Sequence, residues 1–399
     1  GFTMSDFFNE ALKGGLDSLT ADQLDELIIM AQAKRSESKG KKEIKTSDSC
    51  PFCGSIRIKK HGKSKKGTPR IICKDCGKTF SSDIDILDQN SRLSDTQLAA
   101  LYVGIVENQT IGNLAQKMNV SRSTAAQHKL KVMDILFQRM MAQYSVLDTE
   151  GKHNFKFEGE VQCDECFCTV SFKGKRDPEF FIFTLKRFPR HNCSNADQEE
   201  YLKKHGLWTR VISIPGYLKE LRENTKRYKR GISNEQACIV VAADDEKNLI
   251  AKPVSVGRLE TEDVKKLLSG HFDSDSTLIT DSHSAYPILA KSENIRHVQI
   301  KADKHTEGRY NLANVNGIHS QIEKFMPESA ERIPATKYLN QYMALFTWQW
   351  IHKGLSLDER VILLKRTLAD SWDDYKESYD SIKSRPLDIN TKGQFPNVV

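Results

Sequence analysis

The sequence predicts an α+β multidomain chain: helical and loop-rich towards its N-terminus, with a mixed-sheet α/β domain in its middle. Three observations predict it. Apolar residues recur at helical spacing over 5–35 and again over 92–146. Two Cys-x-x-Cys pairs, Cys50/Cys53 and Cys73/Cys76, frame a short basic stretch. From 155 to 350, short apolar runs of β-formers alternate with helical stretches. A length of 399 residues accommodates several such units.

The first unit, 4–48, reads as one or two short helices followed by a polar, lysine-rich linker. Leu16, Leu19, Leu24, Leu27, Ile28 and Ala31 carry the periodicity, and Gly14-Gly15 interrupts it. In the second unit, 49–82, the two cysteine pairs are separated by 19 residues. Nine cysteines is an odd count, and nothing in the chain suggests an oxidising compartment, so a disulfide framework is not expected. Four thiolates at this spacing suit tetrahedral Zn²⁺, with Cys50, Cys53, Cys73 and Cys76 filling every ligand position of a structural site. Arg57-Ile58 and Arg70-Ile71-Ile72 read as hairpin arms around the tip His61 to Gly67. The whole is a zinc ribbon, and Lys63, Lys65 and Lys66 at its tip are expected to meet DNA phosphates.

The third unit, 91–147, is helical. Ile111, Leu114, Ala115, Met118 and Val120 precede Ser121-Arg122-Ser123-Thr124. A small Ala115 for close packing, Asn119 at the turn and Ser121 as a cap make the pattern of a helix-turn-helix. Arg122, Ser123, Gln127, His128 and Lys131 then face a DNA groove or backbone.

The fourth unit, 155–352, starts with strand-like Glu160 to Phe172. A basic insertion around 174–234 follows, within which Phe180 to Leu185 reads as an extra strand. Strands Ala237–Ala243 and Asn248–Val256 come next, then a helix at Thr261–Leu268 and a strand at Ser276–Thr280. A helix at Ala285–Lys291, a strand at Ile295–Ile300 and a helix at Asn314–Phe325 complete the order. That order is the one of an RNase H-like domain. The tail, 353–399, reads as one helical stretch and a partly loose polar end.

In such a sheet the first strand lies beside a later one, so Asp164 and Asp281 should converge. Paired carboxylates of this kind hold divalent cations for phosphodiester chemistry. Asp164 sits within a strand, where an ionised acid is costly unless it meets a cation. Asp281 follows Leu278-Ile279-Thr280 at a strand's C-terminal end, where sheet sites gather. Asn316 lies 35 residues further on, and His319 and Glu323 share its helical face at i+3 and i+7. Cys163, Cys166, Cys168, His191 and Cys193 could in principle hold a second zinc, but Cys163 and Cys166 fall on opposite faces of a regular strand.

Several blocks carry a resemblance: Asp164-Glu165, Ser171-Phe-Lys-Gly174, Arg230-Gly-Ile-Ser-Asn-Glu-Gln236, Asp281-Ser-His-Ser-Ala-Tyr286, Asn314-Val-Asn-Gly-Ile-His-Ser320 and Thr336-Lys-Tyr-Leu-Asn-Gln-Tyr342. Over roughly residues 50–352 the chain resembles the zinc-ribbon insertion-sequence transposases of the DDE superfamily, the ISXO-like group. The resemblance implies a metal-dependent enzyme that binds the terminal inverted repeats of its element, nicks 3′ ends and transfers the 3′-OH into target DNA. It implies two Mg²⁺ or Mn²⁺ ions held by Asp164, Asp281 and Asn316, with double-stranded DNA as partner and a homodimer or higher oligomer as working form. The family's lysine seven residues past the third position falls on Glu323 here, so its DNA contact passes to Lys324 or Glu323 approaches the metals. His319 could complete the shell or bind phosphate. A catalytically inactive DNA-binding regulator and a structure-specific nuclease are the competing readings.

Composition fits these readings without selecting among them. Hydrophobic residues are 38%, charged residues 28% and the formal net charge +7. No apolar run approaches the ~18 residues of a membrane span, and no secretory leader is evident. A cytoplasmic, nucleoid-associated bacterial location is expected.

Overall fold

The computed structural model describes residues 56–63, 69–75, 77, 79–81, 93–147, 153–190, 193–226, 235–301, 303–330, 334–371 and 375–392. The helices expected over 5–35, their linker, Cys50, Cys53, Cys76, Lys65 and Lys66 lie outside those residues. The chain divides into two compact units, Gly1–Arg92 and Leu93–Val399.

In the first unit, β1 (Ile58–Lys63), β2 (Pro69–Cys73) and β3 (Thr79–Ser81) form an antiparallel sheet in the order β1-β2-β3. Ile58 faces Cys73 and Lys60 faces Ile71 across the first pair, so the expected hairpin arms do pair. Ile71 and Cys73 are buried, while Lys59, Lys60 and Lys63 are exposed. Gly77 turns the chain at φ +69°, and its N–H donates to the Cys73 carbonyl at 3.0 Å. A left-handed residue costs glycine little, which explains its place after the second Cys pair.

The second unit begins with three helices, α1 (Asp95–Val106), α2 (Ile111–Met118) and α3 (Arg122–Ser145). Ser94 opens α1 with a capping box through Gln97. Asn119 closes α2 in the left-handed conformation at φ 52°, and Ser121 Oγ accepts the Thr124 N–H at 3.0 Å to open α3. Close approach of α1 and α2 rests on Gly104: a Cβ there would run into Leu114 Cδ1.

Then follow β4 (Glu160–Thr169), β5 (Gln236–Ala243), β6 (Leu249–Val256), β7 (Thr277–Thr280) and β8 (Arg296–Gln299), one mixed five-stranded sheet in the order β6-β5-β4-β7-β8. β4, β5 and β6 are antiparallel neighbours; β7 runs parallel to β4, and β8 parallel to β7. Three antiparallel strands extended by two parallel ones fit an RNase H-like domain. On one face, Val161, Cys163, Cys238, Val240, Ala242, Ile250 and Leu278 pack against α7 (Thr261–Leu268) and α8 (Ala285–Glu293) in a single core. On the other, α9 (Ala313–Ala330) lies across β4 and β5 and buries Val315, Ile318, Ile322, Phe325 and Met326, the i, i+3, i+7 stripe of an amphipathic helix. α10 (Leu339–Ile351), apolar on nearly every side, packs against α3 and β6.

Between β4 and β5 the structure departs from expectation. Phe180–Thr184 is a π-helical turn, not a strand. α4 (Asn195–Lys204), α5 (Trp208–Ile212) and α6 (Tyr217–Lys226) follow it. Their core gathers Ile182, Phe188, Leu202, Leu207, Val211, Tyr217 and Leu221. An uninterrupted apolar run reads alike as buried strand or buried helix; here the Phe180 and Phe181 rings of the turn meet edge-to-face with each other and with Phe172.

The C-terminal segment is also not loose where it is described. Beyond α11 (Leu357–Ser371), the segment containing α12 (Tyr379–Ser384) is held at two points. Asp134, fully buried on α3, accepts from Arg385, Tyr375, Gln341 and Gln138. Asn390 bridges to Ser255 at the edge strand β6, its N–H donating to the Val254 carbonyl at 2.8 Å. Among the described residues no helix is long and apolar enough to cross a membrane.

Candidate active site

β7 ends at the level of Cys163, because Cys163 pairs with Thr280, while β4 continues to Thr169 beside β5. The step left by the shorter strand places Asp281 directly beside Asp164. It also opens both faces of β4 to Asp281. Asp164, Glu165 and Asp281 each offer a carboxylate oxygen, and these atoms lie within 4.8 Å of one another.

Each carboxylate is held. Asp164 Oδ1 accepts the Glu165 N–H at 2.9 Å. Glu165 Oε2 accepts the hydroxyl of Tyr286, fully buried on α8, at 2.8 Å. Asp281 Oδ1 accepts the His283 N–H at 2.8 Å, a local turn that turns the carboxylate back over the strand end. The block from Asp281 to Tyr286 therefore supplies one acid and fixes another.

α9 closes the site from the other face. The Val315 N–H, in its first turn, donates to Gln162 Oε1 at 3.1 Å, so a residue two positions before Asp164 caps the helix. One turn on, His319 Nδ1 stands 4.0 Å from Asp164 Oδ2, and His319 Nε2 is buried without a hydrogen-bond partner among the described residues. Asn316 and Glu323, on the same helical face, are exposed, and Glu323 is close enough to Cys166 for its charge to raise that thiol's pKa.

Electrostatics mark the cluster as short of positive charge. Burial, then the charges of Glu165 and Asp281, push the Asp164 carboxyl up to about 7, against the Glu165 N–H that lowers it. Burial also raises Glu165, opposed by Tyr286 and His283. Burial lowers His319 to about 4, so its imidazole is neutral near pH 7 and has a lone pair to give. No Lys or Arg pairs with the three acids among the described residues. Three hard oxygen donors, a deficit of positive charge and an orphaned imidazole nitrogen suit a divalent cation such as Mg²⁺.

The structure thus brings together Asp164, Asp281 and His319 from the sequence-derived set. It adds Glu165, which a regular strand would point away from Asp164 and which becomes a neighbour only because β7 stops short. Adjacent acids at a strand position were the available signal. Of the residues expected to touch DNA, Arg122, Ser123, Gln127, Lys63 and Lys324 are exposed. Lys131 is half-buried with its ammonium 5.9 Å above the Tyr375 ring. Cys73 is buried, and no disulfide involves it. Cys163, Cys166, Cys168 and Cys193 form no metal-ligand cluster among the described residues, and His191 lies outside them.

No curated protein gives a significant match to the chain. Residues 214–350, about a third of the length, match a family model, and that segment contains Asp281, Asn316, His319 and Glu323. The model is that of the ISXO2-like transposase domain, and the match supports an insertion-sequence transposase of the DDE superfamily.

Proposed function

We propose that the protein is a DNA transposase that binds the terminal inverted repeats of its insertion sequence, nicks their 3′ ends and joins the freed 3′-OH to target DNA. The observation that carries this reading is the meeting of Asp164, Glu165 and Asp281 within 4.8 Å at the step between β4 and β7, on a sheet of RNase H-like order. The match of residues 214–350 to a transposase domain supports the same reading.

Asp164, Glu165 and Asp281 would hold the divalent cations, with His319 and Asn316 on α9 as the neutral side chains able to complete the shell. When bound, such ions activate water or a 3′-OH and stabilise charge on the phosphate. Tyr286 holds the Glu165 carboxylate in place through its hydroxyl. Gln162 fixes the start of α9, and so sets how far His319 stands from Asp164. Glu323, exposed near Cys166, would stand at the periphery of the acid cluster, and Lys324 beside it would meet DNA phosphate.

DNA recognition would fall to the other two parts. Cys50, Cys53, Cys73 and Cys76 would bind Zn²⁺ in a structural ribbon whose basic tip carries Lys63, Lys65 and Lys66. The α2–turn–α3 element would act as a helix-turn-helix, with Arg122, Ser123 and Gln127 at the exposed start of α3 reading a groove. The units 4–48, 49–82, 91–147, 155–352 and 353–399 remain the proposed division. Two ends must be joined together, so a dimer or larger assembly on DNA follows from the chemistry.

The test is incubation with an end-labelled inverted repeat, supercoiled target and Mg²⁺ or Mn²⁺. Wild type should nick the 3′ end and transfer it; Asp164→Asn and Asp281→Asn should bind and do neither. Binding by wild type without nicking or transfer would instead favour a DNA-binding regulator.

A further inference from the structure

Past the end of β4 the chain turns through Ser171 to Lys175 and meets the segment before α10. The Ser171 N–H donates to Thr336 Oγ1 at 2.7 Å, and the Thr336 N–H to the Ser171 carbonyl at 3.1 Å. With the end of α12 these two segments line a cleft of about 360 Å³. Five cations border it: Lys173, Lys175, Lys337, Lys383 and Arg385. Arg385 is committed to the buried Asp134 and to Glu377, and Lys175 lies 3.8 Å from Asp177 and over the Phe180 ring. Lys173, Lys337 and Lys383 have no carboxylate partner among the described residues. Burial and the neighbouring Lys383 charge hold the Lys337 ammonium below its usual pKa. Gly174 turns at φ +85° with open space where a Cβ would stand, so backbone is uncovered at the cleft.

Three ammonium groups from three chain segments, two of which the Ser171–Thr336 clamp joins, border one cleft without a carboxylate partner among the described residues, which suits a polyanion rather than a single buried anion. Its position says which. Ser171 is seven residues beyond Asp164, at most ~23 Å along an extended chain, or about seven base-pair steps of a duplex.

We propose that the Lys173–Lys337–Lys383 cleft is a second DNA contact, gripping the phosphate backbone of the duplex some distance from the phosphate being cut. The contact is sequence-independent, and its work is to hold the duplex in register on the acid cluster. It rests on the polynucleotidyl-transfer reading above.

The test uses the full-length protein and a fluorescent duplex of random sequence, with affinity measured across a salt series. Each phosphate contact contributes about 0.9 to the slope of log affinity against log salt, so the Lys173→Gln/Lys337→Gln/Lys383→Gln triple variant should be shallower by roughly 2.7. The corresponding Lys→Arg triple should keep the wild-type slope. If the Gln triple melts below the assay temperature, exposed Lys383→Gln alone is read instead, with an expected drop of about 0.9. An unchanged slope in the Gln variant, with wild type nicking normally, overturns the proposal. A shallower slope in the Gln variant supports the cleft even if wild type fails to nick, an outcome that would overturn only the transposase reading.

Discussion

Replacing Asp164 by Asn should stabilise this protein in the absence of metal and abolish its response to Mg²⁺. A rise of the Asp164 carboxyl from 3.8 to about 7 corresponds to roughly 4 kcal/mol of lost stability once the group is ionised. The causes are burial first, then two carboxylates whose oxygens lie within 4.8 Å. Asparagine removes the charge yet keeps an oxygen to accept the Glu165 N–H. With EDTA at a pH of about 8, Asp164→Asn should therefore melt higher than wild type, by roughly 5 °C or more. Mg²⁺ at about a hundred times its dissociation constant should then stabilise wild type by roughly 2.7 kcal/mol and leave the variant unmoved. Calorimetry with and without Mg²⁺ reads both effects. A variant that melts lower than wild type in EDTA, or that gains as much from Mg²⁺, would refute the account of a charge-repelled cation site.

Three further outcomes follow from other parts of the molecule. Asp134→Ala leaves Arg385 without its buried partner and should cost about 3–5 kcal/mol in urea denaturation; a cost below about 1 kcal/mol would contradict the role given to the C-terminal anchor. His271 is held below 6.5 mainly by burial, its Nδ1–H donating to the Phe155 carbonyl at 2.9 Å. A histidine with a lowered folded-state pKa gives stability that is present above 6.5 and lost as pH falls, so His271→Gln should flatten the acid limb of the stability curve, and an unchanged limb would speak against it. Cys73→Ser should lower the zinc content measured by atomic absorption and weaken DNA binding, without changing the Mg²⁺-dependent melting shift; full zinc content in that variant would exclude the ribbon reading.

Much of the fold is legible in the sequence. The run Ala237–Ala243 is apolar on both sides, as a strand covered on both faces must be, and appears as β5; the shorter run around Leu278-Ile279 appears as β7. Ser121 and Asn119 announced the α2–α3 turn through local cap chemistry. The approach of Asp164 to Asp281 followed from strand order alone. Glu165 did not follow, because its place beside Asp281 depends on where a neighbouring strand ends. The grip of Tyr286 on Glu165, of Asp134 on Arg385 and of Ser255 on Asn390 joins residues more than a hundred positions apart, which no periodicity reports. Phe180–Thr184 differs from the expected strand for another reason: an apolar run carries no period with which to separate helix from strand.

The proposed function rests on Asp164, Glu165 and Asp281 as the centre that cuts and joins DNA. It is tested most directly by single-turnover cleavage of a labelled inverted-repeat end, comparing wild type with Glu165→Gln, the acid that only the structure places in the cluster. Nicking and strand transfer by wild type, with a loss of at least ~100-fold in Glu165→Gln at unchanged DNA affinity, is the result predicted. Equal rates in the two proteins would contradict it.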